Sequence, residues 1–235
     1  MLRWVTAFTL VAGVGSVIAE EPAPASRAAD KLAAIRAEPL TQYRALRRMH
    51  ARAERMDQEG WVDAWTELDA RGFRYEIVSE RGSEKVREKV LKALLKREQE
   101  LVETGDTSRG ELTPDNYEFS DVLEQGSGVQ YVGLKPKRKD TMLVDGRLVL
   151  SEDGTELLRI EGRLAKNPSF WTSLVNIVRH YTRLNGVRVP IVTESVAKVK
   201  MVGTSRMEVR YDYESVNGRP VSHAARQTAL SAFGR

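Results

Sequence analysis

The sequence contains no cysteine and only three histidines. Without cysteine no disulfide framework can form, so an ordinary apolar core has to stabilise the fold. The same absence excludes the lipid-bearing cysteine of anchored bacterial lipoproteins. The apolar run at residues 4–14 is too short to span a bilayer as a stable helix.

Motifs of catalysis and metal binding are also absent. His50, His180 and His223 lie far apart, without the paired His, Asp or Glu spacing of a metal or catalytic site. The HExxH, GxSxG, phosphate-loop and dinucleotide-glycine patterns do not occur. We therefore expect no enzymatic activity, no cofactor and no bound metal ion.

The charge balance is mildly basic, with 37 basic and 33 acidic residues and a formal net charge of +4. This balance permits contact with anionic membrane surfaces but does not indicate nucleic-acid binding. Residues 135–139 (Lys-Pro-Lys-Arg-Lys) form a compact basic cluster between two predicted strands. The cluster either contacts anionic head groups or an acidic partner, or is simply a solvated turn, which is the more common case.

The first 19 residues have the three parts of a secretory signal. Arg3 gives a positive start, residues 4–14 are apolar and uncharged, and the small-residue site Val17-Ile18-Ala19 precedes Glu20. We expect cleavage after Ala19 and a periplasmic protein that is soluble after export.

The remainder divides into three segments. Residues 20–40 are predicted to be an alanine-rich linker with three prolines and at most a short helix at residues 30–36. Residues 41–218 are predicted to form a single domain. Residues 219–235 have weak periodicity and are predicted to be a loose tail.

Between residues 131 and 217 apolar and charged residues alternate with period two. In residues 205–216 one face carries Met207, Val209, Tyr211 and Tyr213, and the other is charged. Residues 187–202 and 155–164 alternate in the same way, and their apolar faces contain Val187, Val189, Ile191, Ala197, Val199, Met201, Leu158, Ile160, Gly162 and Leu164. This pattern is typical of antiparallel strands with one buried and one solvated face.

The turns fit the same interpretation. Asn185-Gly186 is a strong hairpin signal because both turn positions need a positive φ. It predicts that residues 169–184 pair with residues 187–201, in arms of roughly 13 to 15 residues that span about 40 to 50 Å. Strands of that length twist and coil, so the sheet should curl into a barrel or half-barrel.

The N-terminal half contains a change of period. Residues 43–56 fit either a strand or a helix, whereas residues 61–68 and 73–80 alternate as strands. Residues 83–102 predict an amphipathic helix with a main apolar stripe and a flanking one, formed by Val86, Val90, Leu94 and Leu101, and by Leu91, Leu95 and Val102. The predicted fold is therefore mainly β (α+β), a long antiparallel sheet curled into an incomplete barrel packed around this helix.

Several short motifs resemble a known family. They are Gly60-Trp61, Trp65-Thr66-Glu67, residues 73–77 (FRYEI), residues 82–84 (GSE), residues 134–136 (LKP), residues 159–163 (RIEGR), residues 167–171 (NPSFW) and residues 185–190 (NGVRVP). Over roughly residues 43–217 the chain resembles uncharacterised exported bacterial members of the LolA/LolB-like superfamily, which includes the periplasmic carriers of outer-membrane lipoproteins.

The resemblance implies an incomplete β-barrel draped over helices, which encloses an apolar cavity for acyl chains. Proteins with this fold carry lipoproteins, bind lipids or sense envelope stress. In the carriers an arginine on a strand holds the helical lid closed, and Arg44, Arg48 and Arg52 match that role equally well here. Lacking a cysteine, the chain is similar to the soluble carrier rather than to the anchored acceptor.

A signal and alternating strands would also suit an outer-membrane β-barrel, but the amphipathic helix interrupts the strands and no terminal aromatic strand closes the chain. These observations leave two functions open. The first is a periplasmic carrier of an acyl chain, lipid or lipoprotein, which makes transient contact with a membrane or an envelope protein. The second is an interaction or stress-sensing module of the envelope whose cavity is filled. For the carrier, the predicted lining consists of Leu158, Ile160, Val199, Met207, Val209 and Tyr211, with Val90 and Leu94 on the helix.

Overall fold

The computed structural model describes residues 38–125, 128–170 and 172–231, which form one antiparallel sheet of eleven strands with helices. The strands are β1 (Tyr43–Ala53), β2 (Gln58–Asp69), β3 (Gly72–Gly82), β4 (Tyr117–Gln125), β5 (Val129–Pro136), β6 (Val144–Ser151), β7 (Leu157–Leu164), β8 (Thr172–Leu184), β9 (Val187–Val199), β10 (Gly203–Val216) and β11 (Arg219–Pro220). Their spatial order is β3-β2-β1-β10-β9-β8-β7-β6-β5-β4, with β11 on β10. The sheet is not closed into a barrel, and the predicted fold class is confirmed.

The central hairpin forms as predicted. Strands β8 and β9 each have 13 residues and pair along their length. Asn185 and Gly186 take φ values of 52° and 85° in the turn between them. The ambiguous segment at residues 43–56 is strand β1 followed by a short 3-10 turn (Glu54–Met56), because β1 pairs with a strand on both sides.

The predicted helix is continuous over residues 84–103, and we call it the long helix. Its first turn (Glu84–Val86) and its last part (Ala93–Glu103) are α-helical, whereas Arg87–Lys92 is π-helical. The π turn contains one extra residue, so the buried stripe moves from Val86 to Leu91 and Leu95, which are both 0% exposed. Val90 and Leu94, predicted on the main stripe, are therefore only half-buried.

The long helix lies on one face of β1, β2 and β3, and we call this face the inner face. A Cβ on Gly60 of β2 would lie 3.3 Å from the Cβ of Val86, so glycine permits the close approach. Glu80 of β3 forms ion pairs with Arg87 (2.7 Å) and Lys92 (2.8 Å). The helix is thus tied to the edge of the sheet through its first half.

Two separate apolar clusters stabilise the sheet. The first joins the long helix to β1, β2, β3, β9 and β10, and it includes Met49, Val62, Leu91, Leu95 and Val209. The second lies on β4 to β7, and it includes Val132, Leu134, Leu148, Leu150 and Ile160. Strand β8 contributes to both clusters, through Leu184 to the first and through Ile177 and Tyr181 to the second.

The segment after residue 218 is ordered where the structure describes it, which differs from the predicted loose tail. Arg219–Pro220 pairs with β10, and His223–Ser231 forms a short helix. Val221 and Ala229 are buried in the first cluster, so apolar contact stabilises a segment that has little sequence periodicity.

The predicted secretory signal (residues 1–19), most of the predicted linker (residues 20–40) and its short helix at residues 30–36 lie outside the described residues. Among the described residues, no helix is both long and apolar enough to cross a membrane.

Truncating Leu91 or Leu95 to alanine should lower the free energy of unfolding by about 2–5 kcal/mol, because each change removes fully buried methyl groups. Val90→Ala should cost about 1 kcal/mol, because Val90 is half-buried and smaller. Urea denaturation followed by tryptophan fluorescence measures the difference. Equal losses at Val90 and Leu91 would show that the π turn does not set the buried stripe.

Candidate functional site

The strand register places one transverse row of residues on the inner face. Ile160 of β7 is opposite Arg179 of β8, which is opposite Thr193 of β9, and Thr193 is opposite Val209 of β10. Val209 is in turn opposite Met49 of β1, which belongs to the core under the long helix. Residues that pair directly across strands share a face, so this row connects the two apolar clusters.

A second row runs beside the first, from Gly162 through Ile177, Ser195 and Met207 to Ala51. Ile177, Ser195 and Met207 are half-exposed although they lie on the inner face. Ala197 and Val199, further along β9, are also half-exposed. We call Ile177, Arg179, Ser195, Ala197 and Met207 the open floor, because the long helix covers β1 to β3 and leaves this part of the sheet accessible.

Two glycines on the inner face bring β6 and β7 close together beside the open floor. Gly146 and Gly162 are directly opposite each other. A Cβ on Gly146 would lie 2.1 Å from the backbone oxygen of Glu161, and a Cβ on Gly162 would lie 2.5 Å from that of Asp145. Any other residue would force these strands apart, so the sequence keeps this region free of side chains.

The long helix is held against the sheet by an ion pair whose arginine is buried and whose carboxylate is partly exposed. Arg47 of β1 has a side chain that is 3% exposed, and its two terminal nitrogens donate to the carboxylate of Glu98 on the helix at 2.5 and 2.8 Å. Such a two-point pair between guanidinium and carboxylate is among the stronger hydrogen-bonded contacts in proteins. It joins the second half of the helix to the middle of β1.

Aromatic rings enclose this ion pair. The guanidinium of Arg47 lies 4.8 Å from the ring centre of Tyr211 and 5.1 Å from that of Phe73. It also donates a hydrogen bond to the hydroxyl of Tyr43. Burial raises the pKa of Tyr43 and of Tyr213, so both stay neutral at physiological pH. Arg47 therefore lies in an apolar setting, in which the loss of its carboxylate partner is costly.

The three arginines that matched the lid arginine from sequence lie on the other face of β1. Arg44 pairs with Glu67 and Glu214, Arg48 with Asp212, and Arg52 with Asp57. The arginine that contacts the long helix is Arg47. The signal was present in the sequence, because Arg47 is the one charged residue on the face that Tyr43, Ala45, Met49 and Ala51 form by alternation.

The structure divides the predicted lining between several environments. Val209 is buried in the first cluster, and Met207, Tyr211, Val90 and Leu94 pack against it. Ile160 belongs to the second cluster, and Val199 is half-exposed near the end of β9. A bulge lies between β6 and β7, where Val149 is opposite Arg159 but Leu150 is opposite Leu157. Leu157 is therefore the buried residue, at 2% exposed, and the predicted lining residue Leu158 is only half-buried.

The histidines have separate surroundings. His50 stacks on Trp61 with ring centres 4.5 Å apart and lies 3.3 Å from Glu59. Burial lowers the pKa of His180, which pairs in register with Arg159 and Val192. Within residues 38–125, 128–170 and 172–231, no three His, Asp or Glu side chains come together as a metal site.

Comparison of the chain with models of known protein families finds no match, and comparison with curated proteins finds none either.

Glu98→Gln should lower the free energy of unfolding by about 1–3 kcal/mol, because it leaves the buried guanidinium of Arg47 without a counter-charge. Glu100→Gln is the matched control, since Glu100 lies on the same helix but is exposed and pairs only with Arg97 at 3.3 Å. The control should cost less than about 0.5 kcal/mol. Equal urea stability of the two variants would contradict a structural role for the Arg47–Glu98 pair.

Proposed function

We propose that this protein is an exported carrier that holds an acyl chain on its inner face, beneath or beside the long helix. The observation that supports this best is the open floor. A partly apolar stretch of the inner face is half-exposed next to a helix that two buried leucines and the Arg47–Glu98 ion pair hold on the sheet. Monomeric folds rarely leave such a surface uncovered without a use for it.

The energetics favour a chain ligand. Each methylene buried contributes about 0.8 kcal/mol, so a chain of 16 carbons gives on the order of 12 kcal/mol before costs. Ordering the chain and moving the helix reduce this considerably. The free energy that remains suffices for binding without catalytic chemistry. Ile177, Ala197 and Met207 of the open floor can supply the apolar contacts.

The resemblance to the LolA/LolB-like superfamily supports the same proposal. An unclosed antiparallel sheet, a covering helix and an arginine on a strand that binds the helix are the features expected from it, and they coincide here in β1 and the long helix. Arg47 takes the place of the lid arginine. The cargo class is then an acyl chain, a lipid or a lipoprotein.

Opening the carrier requires the helix to lose different contacts at its two halves. The first half is tied by Glu80 and by the fully buried Leu91. The second half is held by Leu95 and by the Arg47–Glu98 pair. The second half lacks the two Glu80 ion pairs of the first half, so fewer polar contacts hold it, and we propose that this half moves when the ligand enters.

The tight packing of the first cluster favours the alternative function, an interaction or stress-sensing module. Leu91 and Leu95 are fully buried against the sheet, which is the arrangement of an interaction or stress-sensing module with a filled interior. The two functions differ in whether the open floor accepts a ligand, and a binding experiment separates them.

One end of the sheet carries exposed apolar side chains. Phe170 precedes β8 and Met201 lies in the turn after β9, and each is 80% exposed. Thr172 pairs with Val199, so both loops lie at the same end. The ammonium of Lys200 lies 4.3 Å from the Phe170 ring. We call Phe170, Lys200 and Met201 the apolar tip.

The basic cluster of residues 135–139 extends towards the same end. Through the register, Val132 of β5 lies in the first transverse row with Thr193 of β9, and Leu134 lies in the second row with Ser195. The two strands therefore run in the same direction, and the segments that follow them lie at the same end of the sheet. Lys135, Lys137 and Lys139 are exposed there. Apolar side chains surrounded by lysines suit an anionic lipid surface, and we propose that the carrier contacts such a membrane through the apolar tip.

Filling the open floor should abolish carrier activity without unfolding the protein. Ser195→Leu places a larger side chain between Ile177 and Met207, and it should weaken acyl-chain binding by about tenfold or more. Val196→Leu is the control, because it places a leucine at the next position of the same strand but on the outer face. Native mass spectrometry and displacement of a fluorescent fatty acid measure binding. If wild-type protein binds no lipid and no probe, the interaction-module function replaces the carrier.

Vesicle flotation tests the apolar tip. The wild-type protein should float with vesicles containing anionic phosphatidylglycerol, and added salt should weaken the association because lysines contribute to it. Phe170→Ser with Met201→Ser should reduce binding about tenfold. Val78→Ser removes a 56%-exposed apolar side chain from β3 and should have no effect. Equal binding to neutral phosphatidylcholine vesicles, or an unchanged double variant, would contradict this proposal.

A further inference from the structure

Arg179 is the one charged residue in the transverse row that connects the two clusters. Extended across eight strands, that row is Val132, Leu148, Ile160, Arg179, Thr193, Val209, Met49 and Val62. The other seven are buried, whereas Arg179 is exposed. Solvent reaches the side chain of Arg179, so its guanidinium lies in an accessible part of the inner face.

The neighbour of Arg179 on β9 has an unused polar group. Thr193 is 6% exposed, and its hydroxyl has no hydrogen-bond partner among the described residues. A buried hydroxyl without a partner costs free energy, and such groups are uncommon in folded proteins. Because Thr193 pairs directly with Arg179, the two side chains leave neighbouring strands on the same face of the sheet.

The inner face has an unbalanced positive charge at this place. Arg47 is neutralised by Glu98, whereas no carboxylate among the described residues forms an ion pair with Arg179. Partial desolvation acts to lower the pKa of Arg179, but the electrostatic effects of Tyr181, Tyr211 and Glu98 more than offset it, so its pKa is raised and the side chain stays charged.

We infer that Arg179 and Thr193 form a subsite for an oxyanion head group, so that the preferred ligand is an acyl chain ending in a carboxylate or a phosphate. A guanidinium presents a planar fork of donors that matches either group. The Thr193 hydroxyl can donate to the same oxyanion, and the chain extends over Ile177, Ser195 and Met207. This inference rests on the proposed function, since it names the head group of the ligand that the open floor holds.

Three ligands with the same chain and different heads test the inference. Dodecanoate, dodecyl phosphate and dodecanol are titrated below their aggregation limits against the full chain, with binding followed by native mass spectrometry. The two anions should bind at least about tenfold more tightly than dodecanol, because they gain charge-assisted hydrogen bonds. Whichever anion binds more tightly identifies the head group as carboxylate or phosphate.

Matched variants assign the preference to its residues. Arg179→Met should remove the preference for the anions over dodecanol, and Thr193→Val should reduce the preference about threefold. Arg163→Met is the control, because Arg163 lies on the neighbouring strand and its exposed side chain pairs with Asp145 on the outer face. This control should keep the wild-type preference.

The outcomes separate this inference from the proposed function. If none of the three ligands binds, the carrier function itself fails. If dodecanol binds as tightly as the anions, or if Arg179→Met keeps the preference, the carrier function stands and the oxyanion subsite is overturned.

Discussion

The architecture of the inner face depends on the neutralisation of one buried charge. Arg47 lies on the apolar face of β1, and a guanidinium that is 3% exposed is costly unless it is paired. The long helix supplies the carboxylate of Glu98, and Leu91, Leu95 and Glu98 follow one another at the spacing of a single helical face. The contact that neutralises Arg47 therefore also fixes which side of the helix packs on the sheet. The aromatic rings of Tyr211 and Phe73 complete the enclosure.

Much of this fold follows from the sequence, because alternation and turn chemistry are local signals. The β8–β9 hairpin and the long helix form where residues 169–201 and 83–102 predict them. The sequence prediction missed features that depend on insertions of one residue. The π turn at Arg87–Lys92 shifts the buried stripe from Val90 to Leu91. The bulge at β7 buries Leu157 in place of Leu158. The role of Arg47 was missed although the alternation of β1 places it on the inner face. A charged residue on an apolar face can be interpreted only when its partner is known, and Glu98 is distant in the sequence.

The open floor results from an imbalance between the size of the sheet and that of its cover. Ten strands form one continuous path, and the long helix packs on only three of them at one edge. Strands β4 to β7 build their own cluster, with Ile177 and Tyr181 of β8 packed against it. Between the two clusters Ser195 and Met207 remain half-exposed. A sheet covered over its whole inner face would have no such surface to offer a ligand.

The two arginines of the inner face are electrostatically connected through Glu98. Glu98 pairs directly with Arg47, and it also contributes to the electrostatic surroundings of Arg179. An oxyanion at Arg179 would cancel part of the attraction that this guanidinium exerts on Glu98, and it would repel the carboxylate itself. Binding of an anionic head and release of the second half of the helix then favour each other, and by linkage each must strengthen the other equally. The charge that selects the ligand would thus also weaken one of the contacts that hold the second half of the helix on the sheet.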